Sequence, residues 1–417
     1  AGKQVSDPIV RGPVFARLAE IHEQQRQDLP AAIEAWREVL SADPHDAVAL
    51  SALDRLLALT GRSAELVTVV ERRAELTDDA GIRLVLLHRV AALYEEVLVR
   101  PDDAIAAYRN VLAVDDTDGA ALDGLERMFV VTQRPRDLVD VLSRKLELAT
   151  DPAARRTLRL GLAEQHDQAL REPYEAIAQL VSLCEERGDE PDTLERLADL
   201  YRRQRMWTEL VDVLDRQVVL RGGQAPEVAC AAAQLVEREL AEPADAIGRY
   251  GAVLGYAPQH AEARAALWRL AEHADLALPA SDVLEPIFVR ERNGDELTRL
   301  YERRLALADI DAEQRLGWWR ALAEAHDELR DDRARAQDVW ARALHDDENS
   351  LAALEPLIAM TARTGRYPEL AATLEQALAK AHDPDRVFAL GMALGDVAED
   401  RLGKPEMATA AYERAAA

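Results

Sequence analysis

Apolar residues return every third or fourth position along almost the whole chain, the spacing of one face of an α-helix. One such stretch, Ala31-Ala32-Ile33-Glu34-Ala35-Trp36-Arg37-Glu38-Val39-Leu40, comes back as Ala104-Ile105-Ala106-Ala107-Tyr108-Arg109-Asn110-Val111-Leu112. Further copies open at Ala176-Ile177, Ala246-Ile247, Ala336-Gln337 and Ala408-Thr409. The bulky position is held in turn by Trp36, Tyr108, Leu180, Tyr250, Trp340 and Tyr412, at separations of 72, 72, 70, 90 and 72 residues. A second stretch keeps the same period. Leu66-Val67-Thr68-Val69-Val70-Glu71-Arg72 matches Leu138 to Arg144 and Leu210 to Arg216, with looser copies from Leu297 and Leu370. Two independent markers with one period identify an internal repeat.

Four helices fit each unit. In the first they fall at 14–25, 31–42, 46–60 and 63–77, separated by Asp43-Pro44, Gly61 and Asp78-Asp79, which are turn and breaker signals. A unit is therefore two antiparallel helix pairs. One pair cannot hide its apolar stripe alone, whereas stacked neighbours can. The expected fold is all-α, a solenoid of stacked helix pairs. The units run 1–79, 80–151, 152–224, 225–309 (with an extra helix), 310–383 and a partial 384–417.

These residues resemble the tetratricopeptide repeat family. Its motif places a small residue and then an aromatic in the first helix, Ala and an aromatic in the second, and Pro at the end. Here Ala91 and Tyr94 precede Ala104 and Tyr108; Ala19 precedes Ala32, Trp36 and Pro44; Ala246 and Tyr250 precede Pro258; Ala198 and Tyr201 precede Leu210 and Leu214. The likeness covers nearly the whole chain. It departs where Leu180 and Asp116 replace motif residues, and in halves that alternate between about 34 and 38 residues.

The fourth unit exceeds the others by 18 residues, between about His260 and Asn293. The pattern there reads as a helix over His260–Ala274, then Pro279, then a helix over Ser281–Arg292 with Ser281 as its N-cap. The expectation is a kink, a helix on the flank, or a tolerated loop. Neither end shows a polar capping element of the kind solenoids need. A piece of a longer array, or ends covered by a partner or another copy, is expected.

Composition agrees with packed helices and narrows the function. The 417 residues carry 51 Lys and Arg against 77 Asp and Glu, a net charge of −26. Displacing counterions from phosphate needs clustered cations, so nucleic acid and anionic membrane are disfavoured partners. Only Lys3, Lys145, Lys380 and Lys404 are lysines, a bias that suggests a GC-rich bacterial genome. No apolar run is long enough to span a bilayer, no leader is visible, and the cytoplasm is the expected compartment.

Catalytic and metal chemistry finds no footing. His22, His166 and His326 share one repeat position with Tyr94, Val236 and Ala398, which marks a packing site. The remaining histidines stand alone, and no Cys-x-x-Cys, phosphate loop or nucleophile elbow occurs. Cys184 and Cys230 read as core fillers. In Trp318-Trp319 one ring is expected inside and the other partly outside. No cofactor, no metal and no enzymatic activity are expected.

The resemblance implies that first helices line a groove. In the first pair of each unit, the residues facing it would be Glu20, Glu23, Gln24; Ala92, Glu95, Glu96; Glu164, Asp167, Gln168; Gln234, Glu237, Arg238; Glu324, Asp327, Glu328; and Asp396, Glu399, Asp400. Acids dominate these rows. The second pairs give Arg55, Ala58, Leu59; Arg127, Val130, Val131; Asp199, Arg202, Arg203; and Ala359, Ala362, Arg363. Either adjacent rows neutralise each other across the repeat, or the surplus acid receives a basic, Arg-rich segment of a partner. The leading expectation is a non-enzymatic scaffold for protein partners. Head-to-tail self-assembly through uncapped ends, or a regulatory array of a larger enzyme or transport machine, are the alternatives.

Overall fold

The structure, a computed structural model, describes residues 8–308, 310–347 and 350–416; the expectations placed on Lys3 and on the extreme termini lie outside these. Among the described residues there are 23 α-helices and no strand. They are α1 (Pro8–Gln24), α2 (Leu29–Ala42), α3 (Ala47–Leu59), α4 (Ser63–Leu76), α5 (Ala80–Ala92), α6 (Pro101–Val114), α7 (Gly119–Val131), α8 (Pro135–Leu148), α9 (Pro152–Glu164), α10 (Pro173–Arg187), α11 (Pro191–Gln204) and α12 (Trp207–Leu220). There follow α13 (Pro226–Arg238), α14 (Pro243–Tyr256), α15 (Ala261–Leu270), α16 (Ala274–Glu291), α17 (Gly294–Leu305), α18 (Ala312–Glu324), α19 (Arg333–Asp346), α20 (Leu354–Thr364), α21 (Tyr367–Lys380), α22 (Pro384–Asp400) and α23 (Pro405–Ala416). The chain divides into two compact units, Ala1–Leu200 and Tyr201–Ala417.

In each unit the helices pack in series, α1 through α10 in the first and α12 through α23 in the second, each on its predecessor and its successor. That is the stacking of an α-solenoid. In the first unit the buried stripe is built from Ile33, Trp36, Leu53, Leu56, Val70, Tyr108 and Phe129. In the second it is built from Tyr250, Leu284, Phe288, Trp340, Leu357 and Leu390. The starts of the helices follow from local chemistry. Asp28, Asp46, Asp79, Asp118, Asp151, Asp311, Asp332 and Asp383 all accept amide hydrogens of the first turn, each such cap stabilising by about 1 kcal/mol.

The ends of the first helices share a device that side-chain patterning does not announce. Three helices finish in a wide π-turn, Leu93–Val97 after α5, Gln165–Leu170 after α9 and Ala325–Leu329 after α18. The chain then reverses through a left-handed residue: Gln27, Val99, Arg171, Ala241, Asp331 and Gly403. Each of these stands nine positions before a member of the row Trp36, Tyr108, Leu180, Tyr250, Trp340, Tyr412. The row His22, Tyr94, His166, Val236, His326, Ala398 supplies the carbonyls that close this turn, accepting from Asp28, Arg100, Glu172, Glu242, Asp332 and Lys404 at 2.7–3.0 Å. The position therefore has a backbone role, which any side chain can serve.

The long fourth repeat is helical throughout, and its boundaries differ from the expected ones. The first added helix stops at Leu270, and the second begins at Ala274 and runs unbroken through Pro279 and Pro286. Ser281 is not an N-cap. It is buried in mid-helix, donating to the Leu278 carbonyl at 3.0 Å and accepting from Arg304 Nε at 2.9 Å. Both prolines lie on the exposed side. The buried stripe Ala277, Ala280, Leu284, Ile287, Phe288 continues past them. Burying a large apolar side chain contributes about 1.5–3 kcal/mol, so three of them offset the roughly 3 kcal/mol of Pro279. Two helices here share the work of one elsewhere. In α3, Asp54 receives Arg73 of α4 while its neighbour Arg55 reaches back to Glu23. In the fourth repeat Glu285 of α16 receives Arg304 of α17, while Arg269 of α15 reaches back to Glu237.

Candidate interaction surface

The acidic rows resolve into two kinds once the helices are side by side. In four of the first helices the middle acid is turned toward the next hairpin, where an arginine meets it. Glu23 is paired with Arg55. Glu95 accepts from Arg127 Nε at 2.8 Å and Nη2 at 3.0 Å. Glu237 accepts from Arg269 at 2.6 and 2.8 Å. Asp327 accepts from Arg363 at 2.9 Å, with Arg333 at 3.5 Å. Side-chain exposure of the four acids is only 17, 14, 10 and 10%. Asp167 is half-buried, and Glu399 is exposed.

A tyrosine joins two of these pairs from the following helix. Tyr108 donates its hydroxyl hydrogen to Glu95, and Tyr250 donates to Glu237 at 2.7 Å. Arg127 holds the Glu95 carboxyl below the usual carboxylate range. Burial, reinforced by Glu95, pushes the Tyr108 phenol up to about 12. Where the row has Trp36 instead, no hydroxyl exists, and its buried indole nitrogen finds no acceptor. Sequence reasoning missed these tyrosines as polar partners. The available signal was a Tyr 13 residues after a Glu, at Glu95–Tyr108, Glu237–Tyr250 and Glu399–Tyr412.

The flanking acids are of the other kind. Glu96, Glu164, Glu324, Glu328, Asp396 and Asp400 are exposed. Glu20 is half-buried and meets Arg17 at 2.6 Å on its own helix. Arg202 and Arg203 are exposed on α11. On α3 and α7, one turn beyond Arg55 and Arg127, Leu59, Val130 and Val131 are 67, 58 and 68% exposed. Open acids and open apolar side chains therefore alternate along the first unit.

Two polar hubs also lock hairpins together. Asp54, 5% exposed, is gripped by Arg73 of α4 and Arg89 of α5. Arg304, 3% exposed, reaches Ser281, Asp282 and Glu285 at 2.6–2.9 Å. Its guanidinium lies 5.4 Å from the centre of the half-buried Trp318 ring, while Trp319 is buried and donates to Asp346 at 2.9 Å. Cys184 and Cys230 are buried, and burial pushes the Cys230 thiol up to about 11, away from a reactive thiolate. No group of three His, Cys, Asp or Glu among the described residues could hold a metal ion. No helix among them is long and apolar enough to cross a membrane.

Residues 193–225 match the tetratricopeptide repeat family model, a stretch containing most of α11, all of α12 and the turn after it. No curated protein matches the chain. Solved structures with similar helices include the Naa15/Naa10 complex bound to HypK-THB, at 14% identity over 97% of this chain and 68% of that one, with a TM-score of 0.29. A tetratricopeptide repeat protein from Parabacteroides merdae is 15% identical over 61% of this chain and 96% of its own, with a TM-score of 0.25. The pilF protein of Pseudomonas aeruginosa is 17% identical over 61% and 95%, with a TM-score of 0.24. The chain carries a stretch that matches a tetratricopeptide repeat at residues 193–225, within a series of helical hairpins.

Proposed function

We propose that this protein is a non-enzymatic scaffold that holds protein partners on the faces of its first helices, and that the segment it holds is basic with interspersed apolar residues. The observation that carries this reading is the division of the acidic rows. Four of the middle acids, Glu23, Glu95, Glu237 and Asp327, are already paired with arginines, whereas Glu96, Glu164, Glu324 and Glu328 face solvent with no cation on them among the described residues. In the first unit the exposed Val130 and Val131 of α7 come between Glu96 and Glu164, and the exposed Leu59 of α3 precedes Glu96, so cationic and apolar side chains would find places in alternation. Rigid helices present these groups at fixed spacing, which limits the ordering cost of binding. A cytoplasmic setting, where such partners are plentiful, fits this role.

The test is a fluorescent Arg-rich peptide with Leu or Val at every third or fourth position, titrated with the full chain at low and moderate salt. Binding should weaken with salt, as screened charge pairs do. Reversing Glu96, Glu164, Glu324 and Glu328 to Lys should reduce affinity by about a hundredfold, roughly 2.7 kcal/mol. These four are chosen because Glu95 and Asp327 hold the hairpins together, so their reversal would confuse binding with stability. Affinity untouched by the four reversals would overturn the reading.

A further inference from the structure

Arg11, Arg83, Arg155 and Arg315 share one repeat position, in the first turn of α1, α5, α9 and α18. Three of them meet a carboxylate on the second helix of their own hairpin. Arg11 pairs with Glu38, Arg155 with Glu186 at 2.6 Å and Arg315 with Asp346 at 3.1 Å. Arg155 and Arg315 also donate to a backbone carbonyl ahead of their helix, that of Ala149 and that of Leu307. Arg83 keeps only this last kind of contact, to the Thr77 carbonyl. The reason lies on α6, which has Asn110 where α2 has Glu38, and Val114 where α10 has Glu186 and α19 has Asp346. Arg83 thus makes no ion pair among the described residues, and its buried Nε has no hydrogen-bond partner.

A cavity of about 540 Å³ opens beside Arg83, lined from α4, α5 and α6 and within the size range of small-molecule sites. Its apolar lining is Ala74 and Val90, both buried, and the half-buried Leu87. Leu87 stands where α9 has Arg159 and α18 has Trp319, which turn to Glu186 and Asp346. Glu71 of α4 lies on the same cavity. It is half-buried and accepts from the Tyr94 hydroxyl at 3.0 Å, with no cation on it among the described residues. Its repeat counterparts Asp215 and Glu302 have Arg249 at 2.9 Å and Arg342 at 3.7 Å, and the nearby Glu75 has Arg72 at 2.7 Å. One cation and one carboxylate therefore border this cavity, each without an ionic partner and not paired with each other.

We infer that the cavity binds a small zwitterion with an aliphatic body, an amino acid of the leucine or valine kind. Its carboxylate takes the open guanidinium nitrogens of Arg83, as Glu186 takes those of Arg155, with the Asn110 amide beside it. Arginine and carboxylate make strong, oriented hydrogen bonds. The ammonium meets Glu71, and the aliphatic side chain covers Ala74, Leu87 and Val90. A simple anion would add a like charge beside Glu71, and a simple amine would add one beside Arg83; a zwitterion satisfies both. The site shares no residue with the exposed acids Glu96, Glu164, Glu324 and Glu328, so it stands or falls apart from the scaffold reading.

The test titrates L-leucine into the full chain by isothermal calorimetry, beside isocaproate and isoamylamine, which lack the ammonium and the carboxylate. Leucine should bind saturably and about tenfold tighter than either analogue, roughly 1.4 kcal/mol. Glu71→Gln should erase the preference for leucine over isocaproate, and Arg83→Gln the preference over isoamylamine. Asn110→Glu, which copies Glu38, gives Arg83 a carboxylate from within. That variant should lose leucine binding without a lower melting temperature, which separates a filled site from a damaged fold. Isocaproate binding as tightly as leucine would reduce the site to an anion pocket and overturn the inference. Leucine binding that survives both Arg83→Gln and Glu71→Gln, or no leucine binding at all, overturns it as well.

Discussion

Arg127 clasps Glu95 through two hydrogen bonds, 2.8 and 3.0 Å long, from 32 positions away in sequence. The contact ties α7 to the π-turn that ends α5. Arg127 is 54% exposed and Glu95 only 14%, so water screens one partner and hardly the other. A two-point grip of arginine on carboxylate is stronger than an ordinary surface pair. Arg127→Ala should cost about 1–2 kcal/mol. In a double-mutant cycle with Glu95→Gln, urea unfolding should return a coupling of about 1 kcal/mol. A coupling near zero would show that the pair is incidental.

Gly124 is fixed by what lies on it. A methyl group there would meet the Tyr108 ring at 2.3–2.5 Å, well inside contact. Gly124→Ala should destabilise by about 1–3 kcal/mol, the usual range for overpacking. Tyr108→Leu, which copies Leu180 at the same repeat position, should recover part of that loss. Thermal unfolding of the two single variants and the double variant decides it.

Val99 is held at a φ of 51° and is 74% exposed. That is left-handed space, costly for a β-branched residue. The same turn position in the last repeat is Gly403, at 62°. Val99→Gly should therefore raise stability by about 1 kcal/mol, against the usual loss on introducing glycine. A lowered denaturation midpoint would contradict the assigned backbone strain.

His326 is 5% exposed, and its Nδ1 has no partner. Burial holds its pKa below the ordinary histidine value; Arg330 and Arg335 add to this, while Asp332 and Glu302 oppose it. Its stabilising contribution is present above the unfolded value of about 6.5. Below that pH the unfolded chain takes up the proton first, so stability falls as pH drops toward the folded value. His326→Val, which copies Val236, should show a shallower decline in melting temperature between pH 7.5 and 5.5. Identical slopes would place the pH dependence elsewhere.

Much of this molecule can be read from one dimension. The first four helices begin and end within two residues of the positions implied by apolar spacing and Asp or Pro breaks, except that α1 starts six residues earlier at Pro8; the agreement arises because both signals are properties of a single segment of chain. The row His22, Tyr94, His166, Val236, His326, Ala398 reads from its mixed side chains as a packing site, and the structure adds a backbone role. Its true constant, a carbonyl that closes a turn, leaves no mark in side-chain identity. Proline misled where it usually informs: Pro279 suggested a boundary, yet the buried side of α16 carries on past it, and packing outweighed local preference.

The sequence by itself determined that the chain would be helical, that its helices would come in hairpins, and which residues would share a repeat position. Those follow from periodicity and local hydrogen bonding. Only the tertiary structure decided which acids remain open to solvent. Glu95 and Glu96 are neighbours in sequence and both acidic, yet one is spent on Arg127 and the other faces water. The difference arises because the pairing charge sits on another helix, and its approach depends on how two hairpins pack and on the π-turn that aims the carboxylate.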